Sequence, residues 1–256
     1  MTHEKRADQK FKLDGNKGRR MLSFISPIML IIVWEMAVRL QMLDSRFFPA
    51  PTRVMGALWE MSSDGVLFSD LKLSLVRIFG GFLLGAVPGL IIGLTMGLFP
   101  IVKALLDPIV AALYPIPKLA LMPLIMIIFG LTELEKMVII ALGTFFLVLI
   151  NTVAGVVNLD RIYWDVAKNY GADRRNYYLT VALPGALPMI FAGIKLGMGM
   201  ALLLTVGGIG YRIWESYAIF NIPEMYVSFI VMSFLGYVFT IALDEVEHWI
   251  IPWKRD

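Results

Sequence analysis

Residues 78–98, with the sequence IFGGFLLGAVPGLIIGLTMGL, carry no charged side chain. About 20 apolar residues in helical conformation are enough to cross a hydrocarbon core of roughly 30 Å. A glycine also recurs at every fourth position: Gly81, Gly85, Gly89, Gly93 and Gly97. Residues four apart lie on one side of a helix, so these glycines form a groove that a second helix can approach closely. Glycine is common in membrane helices in general, but five in register favour close packing within a helical bundle.

The composition of the whole chain is that of a membrane protein. Only 17% of its 256 residues are charged, against about 25% in soluble domains, and its mean hydropathy is +0.74. Six apolar windows are long enough to span a bilayer: residues 21–40, 78–98, 104–130, 137–157, 188–208 and 225–243. We therefore predict an all-α fold, a polytopic membrane helical bundle of about six transmembrane helices.

Four prolines and a lysine interrupt the third of these windows: Pro108, Pro115, Pro117, Pro123 and Lys118. Proline lacks a backbone donor, and it kinks or breaks a helix. Non-helical backbone at membrane depth occurs where protein covers it or where it lines a cavity. Five spans and a re-entrant segment are thus the alternative to six spans.

The basic residues indicate the orientation, because cytoplasmic segments of membrane proteins carry an excess of lysine and arginine. With the N-terminus inside, fourteen basic residues fall in inner segments and seven in outer segments, which assigns both termini to the cytoplasm. Residues 1–20 are then a cytoplasmic polar tail, predicted to be disordered, and residues 21–256 form a single transmembrane domain. The net charge of +3 reflects this asymmetry and not nucleic-acid binding.

The longest predicted outer segment, residues 41–73, contains one helical pattern. Within its stretch TRVMGALWEM, the apolar residues Val54, Leu58 and Met61 recur at helical spacing. We predict an amphipathic helix at the membrane interface, with Trp59 at the level of the lipid headgroups.

Residues 158–187 are a polar interruption between the fourth and fifth windows. A tyrosine or an apolar residue recurs along one side of a possible short helix: Tyr163, Val166 or Ala167, and Tyr170. Gly171 ends this pattern, and a second short piece, residues 174–180, precedes Pro184. Aromatic residues and arginine are typical of surfaces that bind a partner. The segment therefore favours docking of a partner protein, with a helix lying in the membrane interface as the alternative.

The same segment resembles the EAA signature of ABC importer permeases, in which EAA is followed by three residues, a glycine, nine residues and I-x-LP. Here Asp165-Val166-Ala167 is followed by three residues, Gly171, nine residues and Val181-Ala182-Leu183-Pro184. Other stretches are similar to the nitrate, sulfonate, taurine and bicarbonate branch of that family: VWEMAVRL, FPAPTRV, LSLVRIFGGFLLG, PIPKLALMPLIMIIFG, NTVAGV and IPWKR. The resemblance covers nearly the whole chain after residue 25.

The resemblance implies a fold like that of type I ABC importer permeases, with a cytoplasmic coupling helix that fits a cleft in a separate ATPase. It assigns to ATPase coupling the residues Asp165, Val166, Ala167, Gly171, Ala172, Leu183 and Pro184. It also implies a permease homodimer in a prokaryotic inner membrane, two ATPase subunits, and an extracytoplasmic binding protein that delivers a small anion such as nitrate, a sulfonate, taurine or bicarbonate. The chain has no G-x4-G-K-[ST] motif for nucleotide phosphates. ATP and Mg²⁺ are therefore expected on the ATPase, with no cofactor on this chain.

The chain departs from the family pattern at two points. Asp165 stands where the signature has glutamate, which keeps the charge and shortens its reach. After the fifth window the chain reaches Gly207 and Gly208 early, so the segment there is contracted by several residues. A non-transporting relative that keeps the scaffold is therefore one alternative function. An ATP-independent secondary transporter or channel that uses Lys118 and Lys195 is another.

The remaining polar residues within or beside the windows suggest few further sites. Lys118 and Lys195 are candidates for the transport pathway, because charges inside a membrane are rare and often functional; the simpler interpretation is that their ammonium groups reach the interface. Asp244, Glu247 and His248 share a helical face at the predicted cytoplasmic end of the last window. Solvated charges are expected there rather than a metal site. The chain has no cysteine and no nucleophile with an attendant base, so an enzyme is not expected.

Overall fold

Every regular element in the part of the chain that the structure describes is a helix. The computed structural model describes the backbone of residues 16–205 and 207–253, and the side chains of residues 25–173, 175–205 and 207–253. The α-helices are α1 (Asn16–Arg39), α2 (Pro51–Ser63), α3 (Val66–Leu98), α4 (Pro100–Leu113), α5 (Met122–Phe129), α6 (Glu133–Val157), α7 (Arg161–Asn169), α8 (Arg174–Asn176), α9 (Leu183–Leu203), α10 (Ile209–Ala218) and α11 (Ile222–Ile250). A 3-10 turn, Lys118–Leu121, precedes α5, and a π-helix, Tyr177–Ala182, precedes α9. The prediction of an all-α fold is confirmed.

Several of these helices are long and apolar enough to cross a membrane. Four qualify by themselves: Val66–Leu98, Glu133–Val157, Tyr177–Leu203 and Ile222–Ile250. α1 contains the first predicted window except for its last residue, Leu40, and its 24 residues rise about 36 Å at 1.5 Å per residue. This length exceeds the hydrocarbon thickness of a bilayer. The prediction of a polytopic membrane bundle is thus confirmed.

The window at residues 104–130 is not one straight helix. α4 and the helical segment Lys118–Phe129 are bent by 86° at a short break. Pro115 and Pro117 lie in that break, where their missing N–H groups end the hydrogen-bond ladder of α4. The alternative of a broken or re-entrant segment therefore describes this part of the chain.

The first helix begins earlier than the sequence predicts. α1 starts at Asn16, so residues 16–20, which were predicted to belong to a disordered tail, are helical. Residues 1–15 of that predicted tail lie outside the described residues.

The fifth membrane helix ends several residues before the end of its predicted window, which runs to residue 208. α9 stops at Leu203, and the chain then turns at Gly207 and Gly208, whose φ angles are 123° and 58°. Right-handed helices require a negative φ, and positive values favour glycine. The two glycines therefore separate α9 from α10 instead of continuing the span.

The structure places the five glycines of α3 against α6. At four of them a Cβ atom would lie 2.6 to 2.7 Å from an atom of α6: Gly81 (Ile140 Cβ), Gly89 (Phe145 O), Gly93 (Thr152 Cβ) and Gly97 (Val156 Cβ). At Gly85 the added atom would clash with the backbone of Ala141. The two helices therefore approach closely along most of their length, as helices that lack facing side chains can.

α9 adds a third helix to this pair. A Cβ on Gly193 of α9 would lie 2.8 Å from the Cβ of Asn151 on α6, and a Cβ on Gly155 of α6 would lie 2.9 Å from the Cβ of Met189. The largest apolar core follows these three helices and includes Ile78, Phe82, Ile139, Ile140, Val148 and Met198. The bundle is thus centred on α3, α6 and α9.

The predicted amphipathic helix in the outer segment is α2. Its buried residues Val54, Ala57 and Met61 pack with Leu67, Ile209 and Val227 in a separate apolar cluster. Trp59 is 76% exposed. The apolar face of α2 is therefore covered by protein, and its tryptophan faces outward.

Candidate functional site

Both ends of α7 are fixed by hydrogen bonds that the sequence supplies locally. At its start the Asp160 carboxylate accepts a hydrogen bond from the N–H of Ile162 at 3.1 Å. At its end the N–H of Gly171 donates to the carbonyl of Lys168 at 3.0 Å, and the N–H of Ala172 donates to the carbonyl of Ala167 at 2.9 Å. This pair of bonds is the Schellman motif, whose left-handed position favours glycine.

Gly171 occupies that left-handed position, with φ of 70°. No other atom lies within 4 Å of where its Cβ would be. The glycine of the signature is therefore required by the backbone conformation of the turn, while the space beside it is open. The three-residue spacing between Ala167 and Gly171 is the spacing that this helix end needs.

The outward side of α7 is apolar and aromatic. Ala167 is buried, whereas four neighbouring side chains are exposed: Ile162 (59%), Tyr163 (58%), Val166 (49%) and Tyr170 (87%). Asp165 is also exposed, and it has no ion pair within the described part of the chain. An amphipathic helix that leaves its apolar residues uncovered is typical of a docking surface.

The chain returns from α7 to the membrane helix α9 through a capped turn and a π-helix. The Asp173 carboxylate accepts a hydrogen bond from the N–H of Asn176 at 2.8 Å. The rings of Trp164 and Tyr177 are stacked, with centroids 5.9 Å apart and planes 11° apart. Pro184 is the second residue of α9. The helix from Tyr177 to Leu203 is continuous there, so the missing N–H removes one bond from the helical ladder. The stacked rings thus join α7 to the start of the π-helix.

One open cavity of about 670 Å³ brings the separated parts of the signature together. The signature residues that line it are Val166, Ala167, Gly171, Val181 and Pro184, and Ala172, which was also assigned to coupling, lines it too. Asp165 and Leu183 are not among its lining residues. Trp253, near the C-terminus, also lines it, so the described end of the chain lies beside the same surface.

Lys118 lies at the bend between α4 and α5. Its Nζ donates hydrogen bonds to the carbonyl oxygens of Leu113, Tyr114 and Ile116 at 2.9 to 3.0 Å. Carbonyls at the C-terminal end of a helix lack helical N–H partners, and a nearby cation is favourable there. The ammonium therefore stabilises the end of α4 and the turn that follows it.

Lys195, the other candidate for the transport pathway, links two membrane helices. Its ammonium on α9 pairs with the carboxylates of both Asp244 and Glu247 on α11. The three residues considered for a metal site do not form one, because Asp244 and Glu247 bind this lysine. No group of histidine and acidic side chains among the described residues has the arrangement of a metal site.

A cluster of charged residues lies at the opposite end of α3 from α7. Arg77 on α3 donates hydrogen bonds to the Glu133 carboxylate from Nε at 2.5 Å and from Nη2 at 2.7 Å. Lys136 Nζ is 3.2 Å from the same carboxylate. The Arg77 side chain is 6% exposed, whereas the Glu133 side chain is 55% exposed. A nearly buried cation is therefore neutralised by a carboxylate at the surface.

The contracted segment after α9 packs on the same part of α3. Arg212 on α10 donates hydrogen bonds to Asp70 and to Glu215, each at 2.8 Å. Burial lowers the pKa of Arg212, but the hydrogen bond to Asp70 and the charges of three carboxylates, Asp70, Glu215 and Glu224, raise that pKa by more. The Ser74 hydroxyl accepts a hydrogen bond from the N–H of Ile209 at 2.9 Å. The start of α10 is thus held by Asp70 and Ser74, which lie on two adjacent turns of α3.

Sequence reasoning missed this cluster because the windows were selected for the absence of charge. The helix α3 extends twelve residues before the predicted window, and its polar residues Asp70, Ser74 and Arg77 lie in that extension. Their spacing of four and three residues places them on one side of a helix. That spacing was the signal in the sequence.

Comparison with known proteins defines the class to which this chain belongs. Residues 89–256 match the family described as binding-protein-dependent transport system inner membrane component. Because the match covers more than half of the chain, the chain belongs to this family. It is a membrane permease of the ABC importer type, which is a transport subunit and not an enzyme. The family predicted from the EAA-like signature is therefore confirmed.

Individual relatives are similar over most of their length. The putative aliphatic sulfonates transport permease protein of Bacillus subtilis is 31% identical over 92% of this chain and 88% of its own. The taurine transport system permease protein of Escherichia coli is 28% identical over 100% of this chain and 98% of its own. Among solved structures, the inward-facing MetNI methionine ABC transporter matches with a TM-score of 0.62 at 18% identity, over 74% of this chain and 98% of that chain. The last comparison supports the fold.

Proposed function

We propose that this chain is the permease of an ATP-driven importer of a small anion, of the nitrate, sulfonate, taurine or bicarbonate type. The names of its relatives support this class of substrate: aliphatic sulfonates, taurine and, at 26% identity, nitrate. In this proposal an extracytoplasmic binding protein delivers the anion, and the chain acts as a homodimer in a prokaryotic cell membrane.

The observation that carries the proposal is the exposed apolar surface of α7 with its Schellman turn. In the proposed complex this surface docks on a cytoplasmic ATPase chain, which holds ATP and Mg²⁺. Docking covers Tyr163, Val166 and Tyr170, which are exposed in the chain alone. ATP binding drives transport only if the ATPase favours one conformation of the bundle over another. In this proposal α7 and both termini lie in the cytoplasm.

The test is a bulky substitution at the docking turn. Gly171→Arg should uncouple ATP hydrolysis from uptake and lower uptake of labelled taurine about tenfold or more, since a loss of about 1.4 kcal/mol of docking free energy weakens binding tenfold. The arginine would project into open space, so inserted permease should still be present in the membrane. The measurements are ATP-dependent uptake and ATP hydrolysis in proteoliposomes that contain the complete transporter.

Gly65 provides a matched control. Its φ is 74°, close to that of Gly171, and no atom lies within 4 Å of its Cβ position. Gly65 differs in place, because it lies at the start of α3, and α7 lies near the other end of α3. A side chain at either glycine carries a similar conformational strain of about 1 to 3 kcal/mol. Gly65→Arg should therefore keep uptake within about twofold of the wild type.

Two results would contradict the proposal. Uptake at the wild-type rate in Gly171→Arg would show that the turn does not dock on the ATPase. Uptake by the permease alone, driven by an ion gradient without ATP, would favour the secondary transporter or channel instead.

A further inference from the structure

Lys118 lies level with the middle of α6, a helix long enough to cross the bilayer. Its Nζ is 4.6 Å from the centre of the Phe146 ring. Phe146 is thirteen residues from the first residue of α6 and eleven from the last. Because α6 is long enough to cross the bilayer, a lysine beside its central residue is expected near the middle of the membrane.

The charge of Lys118 has no carboxylate to balance it. The three carbonyl oxygens that bind its ammonium satisfy its hydrogen bonds. The C-terminal end of α4 offsets only part of its charge, because a helix end is equivalent to about half a unit charge. No acidic side chain forms an ion pair with Lys118 in the described ranges of the chain. Lys195 differs, because two carboxylates pair with it. An unbalanced cation in a medium of low dielectric attracts an anion strongly.

A cavity of about 420 Å³ opens beside this ammonium. The turn from Tyr114 to Leu119 forms one wall, and Gly143, Leu147, Met200 and Leu204 form the other. Lys118 is the one charged residue among the residues that line it. When a cleft contains charge of one sign and has apolar walls, the walls concentrate the electric field of that charge within the cleft. A water occupies about 30 Å³ of liquid, so the cavity has room for a small hydrated anion.

We propose that this cavity is an anion-binding site on the transport pathway and that Lys118 supplies its charge. The three N–H groups of the ammonium already donate hydrogen bonds to carbonyl oxygens. The anion is therefore attracted by the charge of the ammonium and not by a direct hydrogen bond. This chemistry suits a small oxyanion such as nitrate or an alkylsulfonate. The inference rests on the proposed function, because it assigns Lys118 to the pathway along which the same class of substrate is transported.

The electric field of the site can be measured without transport. The chain has no cysteine, so Leu119→Cys would introduce a single thiol, at a position that lines the cavity and is 51% exposed. In the assembled transporter, this thiol should react faster with the anionic reagent sulfonatoethyl methanethiosulfonate than with its cationic trimethylammonium analogue, after correction for their intrinsic rates. Adding Lys118→Gln should lower that rate ratio about tenfold or more, since a unit charge a few ångströms away is removed.

Two comparisons separate the charge from the structural role of Lys118. The glutamine amide can still donate hydrogen bonds to the carbonyls of the turn, whereas Lys118→Arg keeps the charge and should keep the ratio within about twofold. Met42→Cys, 75% exposed in the loop after α1, should give the same ratio with and without Lys118→Gln. An unchanged ratio at Leu119→Cys, or no reaction with either reagent, would overturn the proposal.

Uptake of labelled taurine then tests whether the site is on the pathway. Lys118→Gln should lower uptake about tenfold while the binding protein still stimulates ATP hydrolysis. If the reagent ratio responds but uptake is unchanged, the site is not on the pathway, and the inference is wrong while the proposed ATP-driven function stands. The Gly171→Arg experiment tests that function separately, because it does not depend on Lys118.

Discussion

Gly85→Leu should separate α3 from α6 and destabilise the permease by about 3 kcal/mol or more, since inserting side-chain atoms into a well-packed site costs about 1 to 3 kcal/mol and occasionally more. A Cβ at Gly85 would meet the backbone of Ala141. A backbone atom within a helix cannot rotate away as the end of a side chain can. The whole of α3 would have to move, and the contacts of the other four glycines would be lost with it.

The measurement is the thermal midpoint of the purified permease in detergent, together with the fraction that remains monodisperse. A loss of about 3 kcal/mol should lower the midpoint by about 6 to 12 °C for a chain of this size. Gly199→Leu is the control, because Gly199 lies in the membrane helix α9 and has no atom within 4 Å of its Cβ position. The control should leave the midpoint unchanged or raise it slightly, because leucine favours helix more than glycine does. Equal midpoints for the two variants would refute the role assigned to the glycines.

Glu133→Ala should destabilise the permease by about 3 kcal/mol, the lower end of the cost of leaving a buried charge without its partner. The substitution leaves the Arg77 guanidinium almost buried, without the carboxylate that accepts its two hydrogen bonds. The reverse substitution, Arg77→Met, should cost less than half as much. It leaves Glu133 with a side chain that is 55% exposed, so water and Lys136 can compensate its charge.

A double variant makes this second prediction sharper. Combining Glu133→Ala with Arg77→Met removes both charges, and the double variant should be more stable than Glu133→Ala alone. Chemical or thermal unfolding of the three variants would measure the order. Additive losses, or a greater loss from Arg77→Met than from Glu133→Ala, would show that the burial of Arg77 does not decide the effect.

The parts of the fold that follow from local spacing could be predicted from the sequence. Glycines four residues apart predicted the packing stripe on α3, and the structure places that stripe against α6. The spacing from Ala167 to Gly171 could be matched to a family signature because a Schellman turn requires a fixed number of residues between its helix and its glycine. The general class of the protein followed from hydropathy and from this signature.

The parts that depend on pairing between distant residues could not be predicted. Nothing local to Arg77 indicates that its partner is Glu133, 56 residues later, and a charge beside an apolar window resembles a loop residue. The 86° bend at Pro115 and Pro117 likewise depends on how α4 packs on α3 and how α5 packs on α6. The prolines predicted a break in the helix but not its angle.

The close approach of α3 and α6 has a mechanical consequence. From Gly97 to Gly81 the two helices touch over about 24 Å, at a rise of 1.5 Å per residue. The α6 side chains that face Gly81, Gly93 and Gly97 are β-branched, and such side chains have little freedom to absorb a displacement. The Gly97 end adjoins a cavity that Trp164 and Tyr177 also line, whereas Arg77 and its carboxylate lie beyond the Gly81 end. We expect the pair to move as a single rigid lever. A tilt imposed on this helix pair at α7 would then be transmitted almost fully to Arg77 and Glu133 at the far end of the bundle.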